Sequence, residues 1–218
     1  TKHNLCSGIR FVIEMPKVNN LMTENLTPEE YSRLENLLDE EEDIQTANLL
    51  RFTLFTGMRR GEVFKLKWKD INFNTKIILI RDPKSGLDET IPINEIALSV
   101  LDKHPKTESE FVFPGLGGNQ RKTTPRPLRR VIKKAGLNNF RPFHGLRHAY
   151  ASNLASSGKV DLYKLQKLLT HKSPLMTQRY AHLSNDALME ASNVISDLTK
   201  SHQNITDLDE LKIGKGES

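Results

Sequence analysis

The chain has 218 residues, of which 37% are hydrophobic, and a mean hydropathy of -0.51, so it carries enough apolar material for one large domain with appendages. A single cysteine, Cys6, excludes an internal disulfide framework and argues against a cysteine-built zinc site, which fits a reducing, cytosolic setting. The short run IILI at 77–80 is far below the roughly 20 apolar residues of a membrane span, and the polar first residues lack the apolar core of a secretory signal.

The net charge of +5 and the pI of about 9.2 are unevenly distributed. Residues 24–43 are acidic and include DEEED at 39–43, whereas Lys103 to Tyr150 holds eleven Lys/Arg against two Asp/Glu. A basic half beside an acidic segment points to a polyanionic partner, nucleic acid first among them; a solvated basic surface is the plainer alternative.

Residues 1–25 show no sustained periodicity and read as a linker or the tail of a further N-terminal domain. The chain starts at Thr1 rather than Met, so a fragment or processed product is expected. LTPEEYSRLENLL opens a helix, with Thr27 as N-cap, Pro28 at N1 and Glu30 closing a capping box. IQTANLLRFTLFTG is a core helix stopped at Gly57, and RRGEVFKLKWKDIN is a short amphipathic helix and a turn. KIILIRDPKSGLDETIPI reads as two strands around a Pro/Gly turn. NEIALSVLDKH is helical and FVFPGLGGNQRKTT is a Gly-rich loop.

TPRPLRRVIKKAG is a helix with Thr124 as cap and Gly136 as stop. Leu128, Ile132 and Ala135 form its apolar stripe, which turns Arg129, Arg130, Lys133 and Lys134 outward, where they can track phosphates. HGLRHAYASNLASSG and DLYKLQKLLTH are further helices. SPLMTQRYAH starts another at Ser173 (cap) and Pro174 (N1). NDALMEASNVISDLTK has one apolar face, and the tail from about 200 to 218 reads as polar and disordered. The expected class is α+β, mostly helical with one small antiparallel sheet or hairpin.

Four places carry candidate chemistry: Arg59 after the glycine in TGMRRGE, Lys84 in DPKSG, His144 with Arg147 in HGLR, and His171 with Tyr180 flanking the Ser-Pro break. Each alone has a bland reading as a surface cation, a solvated turn, a chance helical pair or a packed aromatic. His144 and His148 have the i, i+4 spacing of a zinc protease. However, Gly145 stands where the glutamate base belongs and Arg147 adds positive charge, so no metal site is expected. A tyrosine nucleophile has different needs. Its phenol ionises near pH ~10, so cations must favour phenolate or a base must take the proton. A phosphodiester under attack is matched by planar guanidinium groups, with a histidine and a lysine as proton carriers.

The ordered motifs TGMRRGE, DPKSG, HGLRH, LLTHKS and QRYAH resemble the catalytic domain of the tyrosine recombinases, the phage-integrase family. The similarity runs from about Leu26 to about Leu198. It implies residues 26–199 as the catalytic domain, Arg59 and Arg147 as phosphate clamps, and Lys84 as general acid on the 5′-hydroxyl. It further implies His144 and His171 as the active-site histidines, Tyr180 as nucleophile and Glu62 in support. The reaction implied is site-specific strand exchange on double-stranded DNA through a 3′-phosphotyrosyl link, with neither metal nor ATP. The full-length protein is expected to act as a tetramer and this chain alone to be monomeric and to bind DNA weakly, with no membrane partner. The setting implied is a bacterial or phage-encoded integrase. One departure is Thr170, where the family usually has glycine before the second histidine; a left-handed backbone there would be strained by threonine. A topoisomerase of type IB chemistry and an inert DNA-binding module are the alternatives.

Overall fold

The computed structural model describes residues 26–81, 87–138 and 140–184. The expected N-terminal linker, the hairpin tip with Lys84, the helix at 185–199 and the polar tail lie outside these residues.

Helix α1 (Pro28–Asp39) starts as its sequence requires. The Thr27 hydroxyl accepts the Glu30 N–H at 3.2 Å, and the Glu30 carboxylate accepts the Thr27 N–H at 2.9 Å. Helix α2 (Ile44–Thr56) is buried on most of its surface and is the central rod of the domain. It stops at Gly57, whose φ of 63° and contact with Tyr150 both demand glycine: an added Cβ would stand 2.4 Å from the Tyr150 ring. Helix α3 (Arg60–Lys65) follows, then a single 3₁₀ turn at Trp68–Asp70.

The sheet has three antiparallel strands in sequential order, β1 (Ile71–Asn72), β2 (Ile77–Ile80) and β3 (Glu89–Pro92). Ile78 sits opposite both Ile71 and Ile91. The expected hairpin is β2–β3. Strand β1 falls inside the stretch read as helix and turn, because two residues are too few to display an alternating pattern. It is pinned by pairing with β2 across a tight turn.

Helix α4 (Glu95–Asp102) packs on α2, and α5 (Arg126–Lys134) packs on α1 and α2. Pro125, not Thr124, holds the N-cap position of α5 and makes no side-chain cap, while Gly136 ends the helix with φ 74°. Helix α6 (Pro142–Ser156) lies along α2, followed by α7 (Leu162–Leu168) and α8 (Leu175–Gln178). The expected Ser173-capped helix through Tyr180 is one turn only. It begins after Pro174, with the Ser173 hydroxyl accepting the Leu175 N–H at 3.3 Å.

Two apolar clusters result. The larger holds Leu49, Leu50, Phe52, Ile78, Phe113, Leu128, Phe143 and Leu146. The smaller consists of Ala151, Ala155, Leu165, Leu169 and Tyr180. Helix α6 contributes its first half to one and its second half to the other, the change falling between Ala149 and Ala151, just after Arg147 and His148. No helix among the described residues is long and apolar enough to cross a membrane.

Candidate active site

Arg59 is the N-cap residue of α3, and Glu62 closes half of a capping box on it. One Glu62 carboxylate oxygen accepts the Arg59 N–H and the other accepts Nη1, both at 2.7 Å. Glu62 is buried, so this single carboxylate fixes both the backbone and the guanidinium of Arg59. Arg59 also reaches across 111 positions to Thr170, with Nη1 on the hydroxyl at 2.5 Å and Nη2 on the carbonyl oxygen at 2.8 Å.

Thr170 has φ 49° because it ends α7. The His171 N–H bonds the Gln166 carbonyl and the Thr170 N–H bonds the Lys167 carbonyl, each at 3.0 Å, the Schellman pattern that places its C′ residue in the left-handed region. The strain expected of threonine at this position is therefore present. The Thr170 hydroxyl binds Arg59, which offsets part of that cost.

Arg147 is buried on α6. Its Nη1 donates to the Gly57 carbonyl at 2.6 Å and its Nη2 donates to the Leu169 carbonyl. Both carbonyls lie at helix C-termini, where the backbone dipole is negative. Burial first, and then the neighbouring positive charge of Arg59, push Arg147 down to about 10. The two guanidiniums are thus close enough for the charge of one to act on the other.

Two clefts adjoin at Arg147. One, of about 310 Å³, is lined by Arg59, Arg60, Arg141, Phe143 and His144 as well as Arg147. The other, of about 300 Å³, is lined by Arg147, His148, His171, Met176, Arg179 and Tyr180. In the second, His171 Nδ1 pairs with the buried Thr177 hydroxyl at 2.9 Å. Burial followed by Arg147 and Arg59 lowers His171 to about 3, so its ring is neutral at pH 7. The Tyr180 ring is only 4% exposed and belongs to the small core, while its phenol oxygen lies 2.7 Å from His148 Nδ1. Burial raises the Tyr180 pKa, and Arg179 and Arg147 oppose that shift.

The geometry therefore brings together Arg59, Glu62, His144, Arg147, His171 and Tyr180. Lys84 lies outside the described residues. Arg129, Arg130, Lys133 and Lys134 are exposed on α5, yet none lines either cleft. Arg130 is in addition held by Glu41, with Nη2 at 2.7 and 3.0 Å from its carboxylate oxygens. Sequence reasoning weighed His148 only as a metal ligand and gave Arg179 no role. The available signal was position: His148 is one turn beyond His144, and Arg179 precedes the tyrosine. Among the described residues, no group of three or more His, Cys, Asp or Glu side chains is arranged to hold a metal ion.

A family model described as the phage integrase family matches residues 24–186. This chain belongs to the phage integrase family. Among curated members, it is 29% identical over 187 residues to the tyrosine recombinase XerA of Pyrococcus horikoshii, covering 82% of this chain and 64% of that protein. It is 30% identical over 202 residues to the integrase of Salmonella phage P22, covering 86% and 51%. The chain thus spans less than two thirds of the length of these relatives. Among solved structures, the XerA recombinase crystal structure matches this integrase-family chain with a TM-score of 0.62 and 27% identity, over 77% of this chain and 63% of that one. The catalytic domain of bacteriophage HP1 integrase shares the fold, with a TM-score of 0.61 and 23% identity over 78% and 93%.

Proposed function

We propose that this chain is the catalytic part of a site-specific DNA recombinase. In this reading, Tyr180 attacks a phosphodiester, its oxygen replaces the 5′ oxygen on phosphorus, and a 3′-phosphotyrosyl link holds the bond energy until a 5′-hydroxyl from a partner duplex reverses the step. Arg59 and Arg147 neutralise the two non-bridging oxygens, and Lys84 protonates the departing 5′ oxygen. His171 donates to a phosphate oxygen through Nε2, with Thr177 fixing the other ring nitrogen. His144 and Glu62 support the clamp.

One observation carries the reading. The buried Tyr180 hydroxyl opens onto a cleft shared with Arg147 and His171, and Thr170, the residue before His171, grips Arg59. The relatives named recombinase and integrase support it. The partner is double-stranded DNA. Four copies act together on two duplexes in the longer protein, in the cytoplasm of a bacterial or phage-infected cell, with residues 26–199 as the catalytic domain.

The test uses nicked suicide duplexes selected from a randomised-sequence pool for covalent attachment by the parent chain. The parent becomes linked to DNA, and Tyr180→Phe binds without linking. An adduct formed by the Phe variant would remove Tyr180 from the role. Lys84→Ala cleaves slowly and recovers when the bridging 5′ oxygen is replaced by sulfur, whose thiolate leaves without an acid.

A further inference from the structure

We infer that His148 is the base that takes the phenolic proton of Tyr180 and passes it through its own ring to His144. This rests on the recombinase reading above and names a group that reading leaves out: where the nucleophile's proton goes.

The three groups form a line. Tyr180 Oη is 2.7 Å from His148 Nδ1, and His148 Nε2 is 2.8 Å from His144 Nε2. Both distances are those of good hydrogen bonds. The rings are packed as well, His148 against His144 at 4.3 Å between centroids and against Tyr180 at 5.7 Å. His148 is buried within α6 and His144 is exposed one turn earlier, in the arginine-lined cleft. The line therefore leads from a buried phenol out to the second cleft.

The groups facing His148 are all cationic or neutral. They are His144, Arg147 and Arg141 on or capping α6, Arg179 and Tyr180 after α8, and His171 after α7. Among the described residues, no carboxylate is one of them. Burial, then these charges, hold His148 down to about 4, so it is neutral at pH 7 and does not accumulate as imidazolium. A neutral imidazole has one acceptor and one donor nitrogen, which is what a relay requires.

The step balances as follows. Before attack, His148 carries its proton on Nε2, and Nδ1 accepts from the phenol. As the Tyr180 Oη–P bond forms and the P–O5′ bond breaks, the phenolic proton moves to Nδ1. The Nε2 proton moves to His144 Nε2, which requires His144 to carry its own proton on Nδ1. The 5′ oxygen takes a separate proton from the acid proposed at Lys84. His148 ends neutral, with Nε2 now an acceptor, and Arg179 Nη1 stands 3.3 Å from that atom as a ready donor. In the rejoining step the proton returns along the same line to the leaving phenolate.

The experiment measures single-turnover adduct formation on the selected suicide duplex carrying a 5′-bridging sulfur, so that the acid at Lys84 drops out. The parent rate is flat between about pH 7.5 and 9, where neutral His148 and un-ionised Tyr180 persist, and it falls below about pH 6.5, where an ordinary exposed histidine such as the acceptor His144 takes a proton. His148→Ala is slower by about 10²-fold or more. Its rate climbs tenfold per pH unit, as unaided phenol ionisation dictates, and added imidazole restores it. A His148 variant that cleaves at the parent's rate, or one whose loss is independent of pH and unmoved by imidazole, overturns the relay. A second measurement needs no substitution. In mixed light and heavy water, the parent's rate curves downward with deuterium content, as two protons in flight require, and a straight line overturns the relay. Failure of the recombinase reading looks different: the parent forms no adduct at Tyr180 at all.

Discussion

Arg59 donates two hydrogen bonds to Thr170, one to its hydroxyl at 2.5 Å and one to its carbonyl oxygen at 2.8 Å, across 111 positions of sequence. Thr170 does this from a left-handed backbone, φ 49°, which costs a β-branched residue about 1–2 kcal/mol. Two substitutions separate the strain from the bond. Thr170→Val keeps the strain and removes the hydroxyl, and denaturant unfolding shows a loss of about 1–2 kcal/mol. Thr170→Gly loses the same bond and relieves the backbone, so its stability stays near the parent's. If valine and glycine destabilise equally, the backbone at 170 carries no strain.

Glu62 holds Arg59 by backbone and by side chain from a buried position. Glu62→Ala removes both bonds and leaves a guanidinium without its charge partner. The expected cost is about 1–3 kcal/mol in thermal or chemical unfolding. Adduct formation on the selected duplex falls as well, because Arg59 swings out of register, while Glu62→Gln retains part of both.

Acid destabilises the domain through its buried and half-buried histidines. His148 and His171 are lowered to about 4 and about 3, in each case first by burial and then by neighbouring cations, and burial lowers His104 too. An unfolded histidine takes a proton as pH falls through about 6.5. The folded groups do not, so unfolding absorbs protons in that window and stability drops as pH decreases from about 6.5 toward 4. The melting temperature followed from pH 7.5 to 4.5 therefore declines, and His171→Gln makes the decline shallower. A pH-independent melting temperature contradicts this assignment of neutral rings.

Among the described residues, no carboxylate pairs with Arg129, Lys133 or Lys134 of α5, whereas Arg130 is tied to Glu41. Alanine at Arg129, Lys133 or Lys134 is expected to weaken DNA binding uniformly across sequences and to lower the salt-dependence slope by about 1 each. Arg130→Ala does less, and Glu41→Gln strengthens binding by releasing Arg130. Fluorescence anisotropy at several salt concentrations checks all five; equal losses at 129 and 130 would show that Glu41 yields readily to phosphate.

What was legible in the sequence was local. The capping box at Thr27 and Glu30, the glycine stop at 57 and the apolar stripe of α5 depend on neighbours within one helical turn. Strand β1 depends on its partner instead, and with two residues it has no period to read. Tyr180 shows both sides. Its neighbours in sequence describe a packed aromatic, and its ring is packed in the small core. Its hydroxyl partner is His148, 32 positions away, and that contact is set by how α7 and α8 fold back over α6. The Arg59–Thr170 pairing is equally invisible locally, although the departure from glycine at 170 marked the place.

The division of the apolar interior into two clusters has a consequence for motion. The smaller one has five buried residues, Tyr180 among them, and is joined to the larger through α6, through the packing of α7 on β3 and through the bonds of Arg59 and Arg147 to Thr170 and Leu169. A patch this small opens at a lower free energy than the body of the domain. Tyr180, the proposed nucleophile, can therefore be uncovered by a local, sub-global opening of α7 and α8 while α2, α4 and the sheet stay closed. Amide hydrogens near Leu165 and Thr177 then exchange ahead of those near Leu50 and Ile78. A lesion such as Leu165→Ala silences the chemistry well before it lowers the main thermal transition.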